Sequence, residues 1–137
     1  MLGLLALLIM APAAPPDEAV IGQFYRAIWN DLFQDSMLFT GNALGSLWYQ
    51  AGSDNPGAHD LHIRNLRCHG RDPRWRCTFN LFRDGGVGVV YGMRAPDRLF
   101  CRADFERRAD GELAVRHLPL EEEDVHSLTT MRCRRSS

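Results

Sequence analysis

The clearest opening for chemistry in this chain is a carboxylate in an apolar setting. From Asp17 to Phe33 the residues Val20, Ile21, Phe24, Ala27, Ile28 and Leu32 recur at helical spacing. On that wheel Asp31 falls between Val20 and Phe24, inside the apolar arc. A carboxylate held there, away from water, can act as a general base. Asp35, one turn further on, continues a polar strip toward the helix end, the pattern of a helix leaving its core. On that ground Asp31 is expected to be structural or solvated rather than catalytic. His117 is the histidine that would complete an acid–base pair with it. His59 and His62 flank Asp60 and Leu61 at the entrance to a strand, where they would point to opposite faces and make a poor pair of metal ligands. They read as surface histidines, and no metal or cofactor is expected. The chain contains no Gly-x-Ser-x-Gly, Walker loop, His-Glu-x-x-His or calcium loop. The glycine-rich Asp84-Gly-Gly-Val-Gly88 follows a hairpin and reads as a turn.

A second candidate is basic. Arg76, Arg102 and Arg108 fall on the polar side of alternating segments, with Arg67 a further member, and are interleaved with Asp104 and Glu106. Such a face is either laced with ion pairs or open to an anionic ligand. The wider charge pattern is asymmetric. Residues 14–60 hold one Arg against six acids, whereas residues 61–118 hold twelve Arg against seven. An acidic helical layer over a basic sheet accounts for that division. All 16 basic residues are Arg, which suggests a GC-rich, bacterial genome.

Four cysteines, Cys68, Cys77, Cys101 and Cys133, lie too far apart for a Cys-x-x-Cys metal site and read as two disulfides. Disulfides agree with the start of the chain. Leu2 to Ala14 is an apolar run too short to span a bilayer, and Ala11-Pro-Ala13 supplies a small-x-small cleavage pattern. The expectation is a signal peptide over 1–13, cleavage after Ala13, and a periplasmic or secreted protein without stable membrane insertion. Export and a near-neutral pI argue against nucleic acid as a partner.

The elements that must position these residues change type near the middle. After the first helix, Leu44, Leu47, Trp48 and Ala51 keep helical spacing behind Asn42, a candidate N-cap, and predict a short second helix. Ser53-Asp-Asn-Pro-Gly57 marks the turn to strands. Trp75, Cys77, Phe79 and Leu81 then alternate with polar residues, paired with the run Leu61 to Cys68. A turn over Arg71–Arg74 places Leu66 opposite Phe79 and Cys68 opposite Cys77, which predicts that disulfide and leaves Cys101 with Cys133. Val87, Val89 and Tyr91 read as a third strand. Leu99, Cys101, Ala103 and Phe105 form a fourth, joined through a three-residue loop ending at Gly111 to a fifth, with Phe105 opposite Val115 and Arg108 opposite Glu112. From about residue 119 the acidic run Glu121–Asp124 and the Arg-rich end read as a solvent-facing tail, with room for a short helix.

This is an α+β arrangement: an N-terminal helix and a short second helix packed on an antiparallel meander of about five strands, in one domain over 14–137. In element order alone it resembles cystatin-like and NTF2-like domains, and no residue of either family is carried over. With no catalytic motif, the leading expectation is a non-enzymatic module binding a protein or a small, anionic ligand through Arg76, Arg102 and Arg108. The alternatives are a small enzyme with a helix–sheet pocket using Asp31 and His117, and a structural envelope-associated protein. A pocket lined by both Asp31 and His117 would favour the enzyme; a filled core would exclude it.

Overall fold

Helix α1 (Glu18–Leu38) forms where the apolar residues recur at helical spacing, and it runs on past Phe33. The Asp17 carbonyl accepts the N–H groups of Val20 and Ile21, both at 2.9 Å, which closes the first turn. The helix stops at Phe39, whose left-handed backbone (φ 55°) turns its N–H onto the Asp35 carbonyl at 2.9 Å. Helix α2 (Ala43–Ser53) starts at Asn42, whose Oδ1 accepts the Gly45 N–H at 3.3 Å. The computed structural model describes residues 17–53, 61–84, 88–119 and 127–136. The expected leader, most of the turn at Ser53–Gly57, His59 and the acidic run 121–124 lie outside them.

Among the described residues nine strands follow: β1 (Leu61–Arg71), β2 (Arg74–Arg83), β3 (Gly88–Val90), β4 (Met93–Ala95), β5 (Arg98–Arg107), β6 (Leu113–Val115), β7 (His117–Leu118), β8 (Leu128–Thr129) and β9 (Arg132–Arg135). The main antiparallel sheet has the order β1-β2-β5-β6, with β9 also paired to β5; β3 with β4 and β7 with β8 form two small ribbons. One residue in two of β2 and β5 faces the helices. Cys77, Phe79, Leu81, Leu99, Cys101, Ala103 and Phe105 are buried against Phe24, Ala27, Ile28 and Leu32 of α1. Phe24 meets Trp75 and Phe105 edge-on, at centroid distances of 5.7 and 5.1 Å, while Trp48 of α2 stacks on Trp29 at 5.9 Å. Phe24, Trp48 and Phe105 are fully buried and contribute about 1.5–3 kcal/mol each, so the two helices are held mainly by this layer.

Register agrees with the cysteine pattern. Cys68 lies opposite Cys77 and Cys101 opposite Cys133, and both pairs are disulfide-bonded. Phe105 pairs with Val115, and the Arg108 N–H reaches the Glu112 carbonyl at 2.8 Å across the loop that Gly111 (φ 88°) closes.

Three expectations need correction. Leu66 does not pair simply with Phe79, because the register shifts between Arg64 and Arg67 and Asn65 takes a left-handed backbone (φ 58°), so a bulge absorbs one extra residue. The segment around Val89 does not join the meander. It forms the β3–β4 ribbon beside α2, with Val90 inside, Val89 70% exposed and Tyr91 at the turn. The fifth strand of the sheet is instead β9, from the segment read as a tail. Its arginines are exposed, but Thr129 and Met131 just before it are fully buried. Sequential pairing missed this because β9 returns across the chain to the β5 edge, where the Cys101–Cys133 bond fastens it.

Candidate active site

Asp31 lies on the apolar face of α1, but the helix does not leave the core there. The C-terminal segment crosses over it, leaving Asp31 only 3% exposed, which corrects the solvated reading. A buried carboxylate needs hydrogen-bond donors, because an unpaired one is strongly destabilising. Asp31 has two. Its Oδ2 accepts the Thr129 hydroxyl at 2.7 Å, and its Oδ1 contacts His117 Nε2. Thr129 is itself oriented, since its Oγ1 accepts the Met131 N–H at 3.1 Å.

His117 enters from the β7–β8 ribbon, where it is paired with Thr129. Its other nitrogen, Nδ1, lies 2.8 Å from Ser127 Oγ. When the imidazole is neutral and Asp31 accepts, Nε2 carries its one ring proton and Nδ1 is left to accept the Ser127 O–H. Asp31, His117 and Ser127 therefore form one directional chain.

That chain opens onto a pocket of about 310 Å³ between α1 and β6, at the small end of the range for ligand sites. Asp31, His117 and Ser127 all line it. Asn30 and Gln34 come from α1, spaced one turn apart so that both fall on the same flank. Leu113 and Val115 come from β6, and Glu106, Arg108 and Glu112 add charge, the last two exposed. Polar groups thus outnumber apolar ones around a histidine held by a carboxylate.

Asp35, the other acid on the helix, has a different task. Nearly fully buried, it accepts the Thr40 hydroxyl at 2.6 Å and the Asn42 N–H at 3.2 Å, fastening the α1–α2 connection. It is not a solvated continuation of a polar strip. His62 is on the sheet, 2.9 Å from Asp84 and away from the pocket. Among the described residues no group of three or more His, Cys, Asp or Glu side chains is placed to hold a metal ion, and no helix is long and apolar enough to cross a membrane.

The basic residues divide. Arg76 and Arg102 are exposed on the outer face of the sheet, away from the helices. Arg76 Nε lies 2.8 Å from Asp104 directly across β2–β5; that hydrogen bond, and then the carboxylate's charge, raise the Arg76 pKa above its ordinary value. Arg64, Arg67, Arg71, Arg74, Arg98, Arg132 and Arg134 share the face by strand register and are all exposed. Phe82 lies under Arg64 and Arg98, at 4.5 and 5.1 Å from its centroid. Arg108 does not belong with them. It lies beyond the end of β5, at the pocket, 3.5 Å from Asp110.

Ser127 and Thr129 went unread in the sequence. Neither sits in a local motif, and their roles arise only because β8 pairs with β7 over the helix. No protein-family model, no curated protein and no solved structure matches this chain.

Proposed function

We propose that this disulfide-bonded α+β domain is an exported small enzyme whose helix–sheet pocket binds a small polar substrate and works on it by acid–base chemistry. One observation carries the reading: Asp31 and His117 meet, hydrogen-bonded, in the wall of an open pocket. Asp31 holds the imidazole in one tautomer and stabilises the cation that forms when His117 takes a proton, so His117 acts as base and then as acid. Asn30, Gln34 and Arg108 supply donors around a substrate oxygen that gains charge. Two disulfides and the apolar opening of the chain support export.

A second reading keeps the outer sheet face as the binding surface. Among the described residues nine exposed arginines, Arg64, Arg67, Arg71, Arg74, Arg76, Arg98, Arg102, Arg132 and Arg134, outnumber the two acids Asp104 and Glu106 on that face. An anion meeting them would bind less tightly as salt rises, since exposed charges are screened over about 8–10 Å. A screen of small carbonyl compounds and esters, read by amide NMR shifts and by turnover on wild type, Asp31→Asn and Arg102→Glu, separates the two. The enzyme reading expects shifts at Asn30 and Val115 and a turnover loss of about 100-fold or more in Asp31→Asn, with Arg102→Glu unchanged. Hits confined to the amides of Arg102 and Arg132, salt-sensitive and lost in Arg102→Glu, would overturn it.

A further inference from the structure

The pocket holds a nucleophile that the acid–base reading does not use. We infer that Ser127 is activated by His117 for attack on a small carboxylic ester, making the site a covalent acyl-transfer centre. The inference rests on the acid–base reading of the same pocket and deepens it by assigning the reacting atom and the substrate class.

Three observations converge. Ser127 Oγ is 2.8 Å from His117 Nδ1, within the distance over which a proton passes directly. Asp31 occupies the opposite nitrogen, so the ring's basic lone pair points at Ser127 rather than at the carboxylate. Ser127 also lines the pocket and is partly exposed, so its oxygen is open to a bound molecule. A nucleophile, a base within hydrogen-bond reach and a third group orienting the base define nucleophilic catalysis by geometry and roles, whichever ring nitrogen serves each partner. A purely structural role for Asp31 is already met by Thr129 and His117. It gives no reason for a serine at the far side of the ring, on a pocket wall.

The step balances without any further reactant than water. Ser127 Oγ bonds to the ester carbonyl carbon as its proton passes to His117 Nδ1. The bond from that carbon to the alkoxy oxygen then breaks, and the departing oxygen takes the proton from Nδ1, leaving an acyl-serine and an alcohol. Water repeats the sequence: its proton goes to Nδ1, its oxygen bonds to the carbonyl carbon, the bond to Ser127 breaks, and the proton returns to the serine. The volume of about 310 Å³ is enough for a short acyl group. Asn30, Gln34 and Arg108 are the pocket's donors for the carbonyl oxygen.

A fluorophosphonate, which forms a stable bond to activated serines, tests this on the intact chain. Mass spectrometry should find one adduct, mapped to Ser127. It should be absent in Ser127→Ala and formed about 100-fold or more slowly in His117→Gln. Because His117 is partly buried and its variant can unfold, Ser127→Cys serves as the second probe. Its thiol should react with iodoacetamide faster than the thiol of a cysteine placed at exposed Ser136, and the excess should disappear on adding His117→Gln if that variant keeps the native circular dichroism. Absence of an adduct on folded wild type, or adducts spread over other serines, would overturn the inference. If labelling fails while small carbonyl compounds still shift the Asn30 and Val115 amides and turn over in an Asp31-dependent way, the acid–base reading survives and only the nucleophile is lost. If neither is seen, both fail.

Discussion

Removing the two disulfides separately should cost unequal amounts of stability, in an order set by the loops they close. Cys68–Cys77 joins residues nine apart, Cys101–Cys133 residues 32 apart. In the chain-entropy description, closing these loops takes about 2.7 and about 3.7 kcal/mol of conformational freedom from the unfolded chain at 25 °C. The double variants Cys68→Ala/Cys77→Ala and Cys101→Ala/Cys133→Ala should lose about those amounts, a difference of about 1 kcal/mol. For a chain of 137 residues each kcal/mol moves Tm by about 4 °C, giving falls of about 11 and 15 °C. One cysteine in each pair, Cys77 and Cys101, is fully buried, so the voids left by alanine are similar and largely cancel in the comparison. The second pair also loses the contact from Asn42 Nδ2 to Cys133 Sγ at 3.5 Å, which adds in the same direction. Calorimetry and urea titration of both variants under non-oxidising conditions measure the difference. Equal losses, or a larger loss for the Cys68–Cys77 pair, would refute a stabilisation dominated by unfolded-chain entropy.

Two further substitutions probe local claims. Thr129→Val keeps the shape but removes the hydroxyl that donates to Asp31 and accepts from Met131, so two buried groups lose partners; a cost of about 2–4 kcal/mol in urea titration is expected, and one below about 0.5 kcal/mol would show that water replaces it. Phe39→Gly should instead stabilise by about 1 kcal/mol, because Phe39 holds a left-handed backbone while 80% exposed, so the strain is relieved with little packing lost; a lower Tm would mean that its ring packs in solution.

What could be read from the residues depended on how far apart in sequence the partners lie. Cys68 and Cys77 share a hairpin, and alternation in Trp75–Leu81 fixes which face each residue takes, so their pairing follows from local pattern. The same holds for Phe105 opposite Val115. The bulge at Asn65 and Leu66 was hidden because an inserted residue leaves alternation intact on either side of it. Val87, Val89 and Tyr91 alternate as a strand should; Val87 lies outside the described residues, and Val89 and Tyr91 belong to a separate ribbon in which Val90 and Ala95 are buried. Periodicity reports a face, not the sheet to which it belongs. Asp31 was visible as an anomaly on its wheel, and His117 as a possible partner. Choosing between a solvated and a buried carboxylate required knowing what covers the helix, and the covering segment reads locally as a polar, Arg-rich end.

That segment explains why the site and the second disulfide belong together. Ser127, Thr129 and Met131 sit within a few residues of Cys133, whose bond to Cys101 fixes β9 to the edge of β5. The strands that carry the site are very short, β7 and β8 having two residues each, and a two-stranded ribbon of that length has little stability of its own. Its position over α1 is held instead by the buried Met131 and Thr129, by the Thr129 N–H donating to the Thr40 carbonyl at 2.9 Å, and by the covalent tie beyond them. Thr40 in turn donates its hydroxyl to Asp35. The two buried acids of α1 thus hold opposite ends of one arrangement: Asp35 orders the turn on which the C-terminal segment rests, and Asp31 receives that segment's threonine and the histidine paired with it. A carboxylate that is costly to bury is retained where it aligns three stretches of chain, and the alignment leaves His117 Nδ1 hydrogen-bonded to Ser127 in the wall of an open pocket.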